Sequence, residues 1–127
     1  MLWFFPAIVV IVCVAYLTWT FLKPRRLAAS KRSMILSQWQ SAQSQTDPHR
    51  RLLEADSVIA RLLEALGFTG SMADKLRGAG KILPGLDGVW DAHKLRNRIA
   101  HEPGLRLTEV QVNRAMDAFD RVIRKFT

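Results

Sequence analysis

The run from Leu2 to Leu22 constrains this chain more than any other feature: 21 consecutive residues carry no charge, and most of them are apolar. As a helix rising about 1.5 Å per residue, such a run spans about 30 Å, the thickness of a bilayer's hydrocarbon core. Trp3 and Trp19 fall near its two ends, where interfacial aromatics collect. Pro6 sits in the first two turns, where its missing N–H does little harm. A cleaved signal peptide is the rival reading. It needs a basic stretch ahead of a shorter apolar core. Only Met1 and Leu2 precede Trp3 here, although Leu27-Ala28-Ala29-Ser30 has the small residues of a cleavage site. The division that follows is a transmembrane helix over 1–22, a basic juxtamembrane linker or surface helix over 23–46, and a helical domain over 47–127.

All 19 Lys and Arg and all 11 Asp and Glu residues come after position 22. Residues 23–50 hold six basic residues and one acid, whereas 51–127 hold 13 basic and 10 acidic residues. The excess positive charge therefore sits beside the apolar run, in Lys23, Arg25, Arg26, Lys31 and Arg32. By the positive-inside rule the N-terminus is outside and the remainder cytoplasmic, at the inner (plasma) membrane. The same cluster attracts the phosphates of anionic lipid headgroups. A high pI alone is poor grounds for a nucleic-acid partner. The single cysteine, Cys13, lies in the apolar run, so no disulfide forms within the chain and it reads as a small apolar filler.

Beyond the linker the apolar spacing is helical throughout, with no alternating strand pattern. Residues 27–44 carry a weak stripe (Leu27, Met34, Ile35, Trp39, Ala42) among Ser and Gln, which suits a helix on the lipid surface or a loose linker equally. Asp47-Pro48 is an N-cap followed by a favoured first helical residue, and Gly67 supplies the stop. Between them Leu52, Leu53, Ala55, Val58 or Ile59, Leu62, Leu63 and Leu66 recur at helical spacing. A shorter helix opens at Ser71 with Asp74 completing a capping box; Gly78 and Gly80 weaken it and Pro84-Gly85 ends it. A further helix runs from Asp87 to His101, closed by Pro103. The last begins at Thr108 with Gln111 and carries one seam of Val112, Met116, Phe119, Ile123 and Phe126. The fold class is all-α: a single transmembrane helix followed by a small antiparallel four-helix bundle. A core of that size is near the lower limit for independent stability, and a second copy, giving a homodimer, would relieve the shortage.

The segment from Trp90 to Pro103 differs from the rest. His93, Asn97 and His101 are spaced four apart and so lie on one helical face, flanked by Trp90 and Ala100. Arg96 lies about 100° away, within reach of a long side chain. A His and an Arg held together suit RNA cleavage without a metal or cofactor. The imidazole moves a proton to or from the 2′-hydroxyl or the leaving oxygen, and the guanidinium binds the phosphate. The same residues also suit a purely structural role, with Arg96, Asn97 and His101 capping a helix end and bonding a neighbouring helix. His93 and His101 are two turns apart with Asn between them, a poor metal-ligand spacing.

Leu95-Arg96-Asn97-Arg98-Ile99-Ala100-His101-Glu102 resembles the signature of the HEPN superfamily, in which an Arg, usually followed by a polar residue, is separated from a His by four to six intervening residues, four of them here. The resemblance covers about residues 48–126. It implies a small all-α domain of four or five helices that dimerises with its signature helices face to face. It implies a metal-independent endoribonuclease, with Arg96 and His101 as the catalytic pair, Asn97 in support, and His93 and Trp90 alongside. Many domains of that type are noncatalytic binding or dimerisation modules, so a cytoplasmic protein partner held at the membrane is the second expectation, beside RNA. The short domain and the membrane anchor depart from the family pattern.

Overall fold

The computed structural model describes residues 3–22 and 26–127. They form six helices, α1 (Phe4–Leu22), α2 (Ala29–Gln43), α3 (Pro48–Ala65), α4 (Met72–Gly80), α5 (Asp87–His101) and α6 (Glu109–Phe126), and no strand occurs among them. The all-helical expectation is met. α1 is long and apolar enough to cross a membrane and contributes no residue to the core. Its hydroxyls turn back onto its own backbone: Thr18 Oγ1 donates to the Val14 carbonyl at 2.8 Å, and Thr20 Oγ1 to that of Leu17 at 2.8 Å.

α3 is the centre of the packed part, touching α2, α4, α5 and α6, while α5 also packs on α6. Its start and stop are set locally. Asp47 accepts a hydrogen bond from the Arg50 N–H at 3.1 Å, and Pro48 occupies the first turn, where no N–H is needed. At the other end Gly67 takes φ 99°, which lets its own N–H reach Glu64 O at 2.9 Å and the Phe68 N–H reach Leu63 O at 3.0 Å. This pair of bonds closes the helix and folds the Phe68 ring back into the core. Leu52, Ala55, Ile59, Leu62 and Leu63 are fully enclosed, as a helix covered on several sides requires.

α6 carries the most regular seam. Val112, Met116, Phe119 and Ile123 are all buried, with Phe126 packed against them at the helix end. Both capping boxes form, Ser71 with Asp74 and Thr108 with Gln111. α4 is shorter than its sequence signals: it stops at Gly80 with Lys81 as cap, so Pro84-Gly85 shapes the following loop instead of ending the helix. Gly78 is accommodated for a packing reason, because a Cβ there would stand 3.3 Å from the Phe68 ring. α5 ends where Pro103 dictates, with Glu102 already extended at φ −112° and ψ 96°.

Residues 29–43 are helical and enter the core, so the packed part has one helix more than the four counted from the sequence. Ile35, Trp39 and Ala42 are buried against α3, and the Trp39 indole N–H donates to Asp120 Oδ1 on α6 at 3.0 Å. Asp120 is held in turn by Arg124 at 2.6 Å. Met34, assigned to the same stripe by spacing, is half exposed at 50%. The weak stripe is narrow because two turns of contact, with the Trp39 hydrogen bond at their centre, suffice to dock α2. Trp39→Ala is therefore expected to lower stability by about 3–5 kcal/mol. Met34→Ala is expected to stay within about 0.5 kcal/mol. Urea unfolding followed by circular dichroism measures both, and a Trp39→Ala loss under about 1 kcal/mol would mean that α2 is not part of the cooperative unit.

Candidate functional site

α3 presents a polar side chain where its apolar spacing calls for a hydrophobic one. Leu52, Asp56, Ile59 and Leu63 occupy one buried stripe, and Asp56 is only 5% exposed. Opposite it, α5 supplies His93, also buried, and half-buried Arg96 and Asn97. These four side chains form a closed ring. His93 Nδ1 is 2.9 Å from Asp56 Oδ1, Asn97 Nδ2 is 3.3 Å from His93 Nε2, and Arg96 Nη1 is 3.2 Å from Asn97 Oδ1. Arg96 Nε lies 3.6 Å from Asp56 Oδ2, an ion pair without a hydrogen bond, and that buried N–H has no other acceptor.

The direction of every bond in the ring follows from donor and acceptor inventory. A guanidinium only donates, so Asn97 faces it with its carbonyl oxygen. The amide N–H of Asn97 then faces His93 Nε2, which must accept. The ring proton of His93 is therefore on Nδ1, donated to the Asp56 carboxylate. One charged acceptor at the bottom of the ring thus orders three side chains of α5. Burial pushes the Asp56 carboxyl above its ordinary 3.8, a rise partly offset by the His93 hydrogen bond and by electrostatic attraction to His93 and Arg96. Desolvation outweighs attraction, so the pairing does not by itself stabilise the fold.

Of the residues singled out by sequence, the structure joins Arg96, Asn97 and His93. It does not join His101 to them. His101 is the last residue of α5, exposed, one turn beyond Asn97 on the same stripe, and among the described residues its imidazole makes no hydrogen bond or ion pair. The 93–97–101 stripe runs from core to solvent: buried, half-buried, exposed. Trp90 packs against the hydrophobic core and takes no part in the ring. Arg26, just ahead of α2, and Lys31 and Arg32 in its first turn are exposed, while Lys23 and Arg25 lie outside the described residues. Asp56 escapes sequence reading because its partners are 37 or more residues away. The available signal is an acid on an otherwise apolar stripe of α3. The third histidine, His49, ties the start of α3 to the α5–α6 loop, with Nε2 at 2.9 Å from Leu105 O.

Compared with known proteins, the chain matches no family model, no curated protein and no solved structure.

Two outcomes test the ring. Asp56→Ala leaves His93 Nδ1–H and the Arg96 charge without their partner and is expected to cost about 3 kcal/mol. For pH dependence, a carboxyl whose pKa rises on folding contributes stability in acid, and that contribution is lost as pH rises through the folded value. Asp56→Asn cannot ionise. Its stability relative to the parent is therefore expected to shift in the variant's favour as pH is raised from the acid side towards neutrality. Urea midpoints across that range read the difference, and a shift in the parent's favour would show that the ionised carboxylate stabilises the fold.

Proposed function

We propose that this chain is a membrane-anchored, HEPN-like endoribonuclease that acts without a metal, as a pair of chains, at the cytoplasmic face of the membrane. The observation that carries the reading is the Asp56 ring, which fixes Arg96 and Asn97 on the turn of α5 that precedes His101, the exposed last residue of that helix. A buried polar ring is a costly way to build a core, since apolar side chains of similar volume would serve stability as well or better. Fixing one guanidinium at the surface gives that cost a purpose. The Arg-Asn-xxx-His spacing, and its likeness to the HEPN signature, supports the same reading.

In this mechanism the 2′-oxygen of a ribose attacks the adjacent phosphorus and the 5′-oxygen leaves. The products are a 2′,3′-cyclic phosphate and a 5′-hydroxyl. Arg96 balances the charge gathering on the non-bridging oxygens, with Asn97 holding its guanidinium in place. His101 supplies proton transfer. One imidazole accepts the 2′-hydroxyl proton and a second protonates the leaving oxygen, which is the reason two copies of α5 meet at one site.

The anchor is α1. Its 19 residues span about 28 Å as a helix, its surface is predominantly apolar, and its threonine hydroxyls are satisfied by its own carbonyls, as lipid requires. The basic residues that follow it support a cytoplasmic position for the helical domain by the positive-inside rule.

A second reading is favoured by one observation: Asp56 already neutralises part of the Arg96 charge. On that reading the domain is a noncatalytic interaction module that holds a cytoplasmic protein at the membrane, and the ring is a packing device. Full-length chain incubated with mixed RNA in EDTA separates the two. The enzyme reading predicts cleavage with cyclic-phosphate ends, and a loss of about 100-fold or more in His101→Ala and Arg96→Ala at unchanged helicity. Equal cleavage by all three proteins, or by none, gives the module reading instead.

A further inference from the structure

A second charged feature lies away from the ring. The start of α2, the α4–α5 loop and the end of α6 enclose a cleft of about 470 Å³. Its cations are Arg26, Arg32 and Lys125, and its apolar walls are Leu27, Leu83 and Phe126. The volume lies within the range of small-ligand sites, roughly 300–1,000 Å³. No acidic side chain lines it. Among the described residues none of the three cations is in an ion pair, although Lys125 Nζ stands 5.9 Å from the centre of the Phe126 ring. Ile82, beside the cleft in sequence, is 56% exposed. Three cations lining one cleft repel one another, and an anion among them relieves that repulsion.

Covalent connection fixes where this cleft is in relation to α1. Arg26 is four residues beyond Leu22, so even a fully extended link keeps it within about 14 Å of the end of that helix. The polar layer on each face of a bilayer is about 5–7 Å deep, taken from the difference between its full and hydrocarbon thickness. Topology alone accounts for Arg26 and Arg32, which follow the helix directly. It does not account for Lys125, about a hundred residues later in the chain, or for the apolar walls.

We propose that this cleft seats the headgroup phosphate of an anionic phospholipid from the bilayer that α1 spans. This rests on the anchoring reading of α1 given above. Arg26, Arg32 and Lys125 bind the phosphate, while Leu27, Leu83 and Phe126 meet the first carbons of the lipid. The C-terminal end of α6 and the α4–α5 loop are thereby fixed on the membrane surface, and the domain is oriented by a second contact instead of hanging from its linker.

The test uses the full chain in nanodiscs of phosphatidylcholine alone or mixed with phosphatidylglycerol, read by hydrogen exchange. Amides of residues 81–83 and 122–127 are expected to exchange severalfold more slowly in the anionic discs. The double variant Arg32→Glu/Lys125→Glu should lose that difference with incorporation and helicity unchanged, whereas Arg106→Glu/Arg114→Glu, with the same charge change, should keep it. Several results would overturn the proposal. One is equal exchange in both discs by a chain that has incorporated. Another is loss of the difference in both double variants alike, which gives a general field effect. A third is the same slowing when glycerol 3-phosphate is added to neutral discs, which gives a soluble phosphate as ligand. Failure to enter either disc overturns the anchor itself, and with it this site.

Discussion

A carboxylate is expensive to bury, and the arrangement around Asp56 follows from that cost. Placed on the enclosed stripe of α3, it must be met by donors. α5 provides them, His93 deepest and Arg96 nearer the surface, with Asn97 bridging the two. Each side chain limits the next, since Arg96 can only donate, Asn97 has one face of each kind, and His93 can carry its proton on one nitrogen while accepting at the other. The ring therefore fixes which face of α5 turns towards α3. It leaves the last turn of α5, with His101, free to meet something else.

The helices and the ring were legible in the sequence to different degrees. The seam of α6 is visible because Val112, Met116, Phe119 and Ile123 repeat with helical period and all four are buried. The ends of α3 and α5 are visible because Gly67 and Pro103 act through local backbone sterics, which need no tertiary partner. α2 is a different case. Its sequence is mostly Ser and Gln, and only Ile35, Trp39 and Ala42 are enclosed, so its docking depends on Asp120, 81 residues from Trp39. Nothing local to residues 29–43 announces that partner.

The candidate site divides along the same line. Spacing on one helix shows that His93, Asn97 and His101 share a face, but not how deep each lies along it. The stripe leaves the core towards the C-terminal end of α5, so the three residues have three environments and only two of them meet. Asp56 belongs to another helix, and pairing between helices is decided by packing. An acid among Leu52, Ile59 and Leu63 is nevertheless a local anomaly with one physical meaning: a buried charge requires a partner with donors, and His93 and Arg96 on α5 supply them.

The two proposals fit one scheme, in which α1 and the basic cleft would hold the domain at a membrane while the ring fixes Arg96 and Asn97 on the turn of α5 that precedes His101. The ring is the common support for the site, and the position of one proton reports on it. Long-range nitrogen–proton correlation spectra of the histidine rings measure that position directly. The account predicts His93 with its proton on Nδ1 and an accepting Nε2, a pattern lost in Asp56→Ala. A His93 ring protonated on Nε2 alone would reverse the bond to Asn97, leave Asp56 without its donor, and contradict the ring as described.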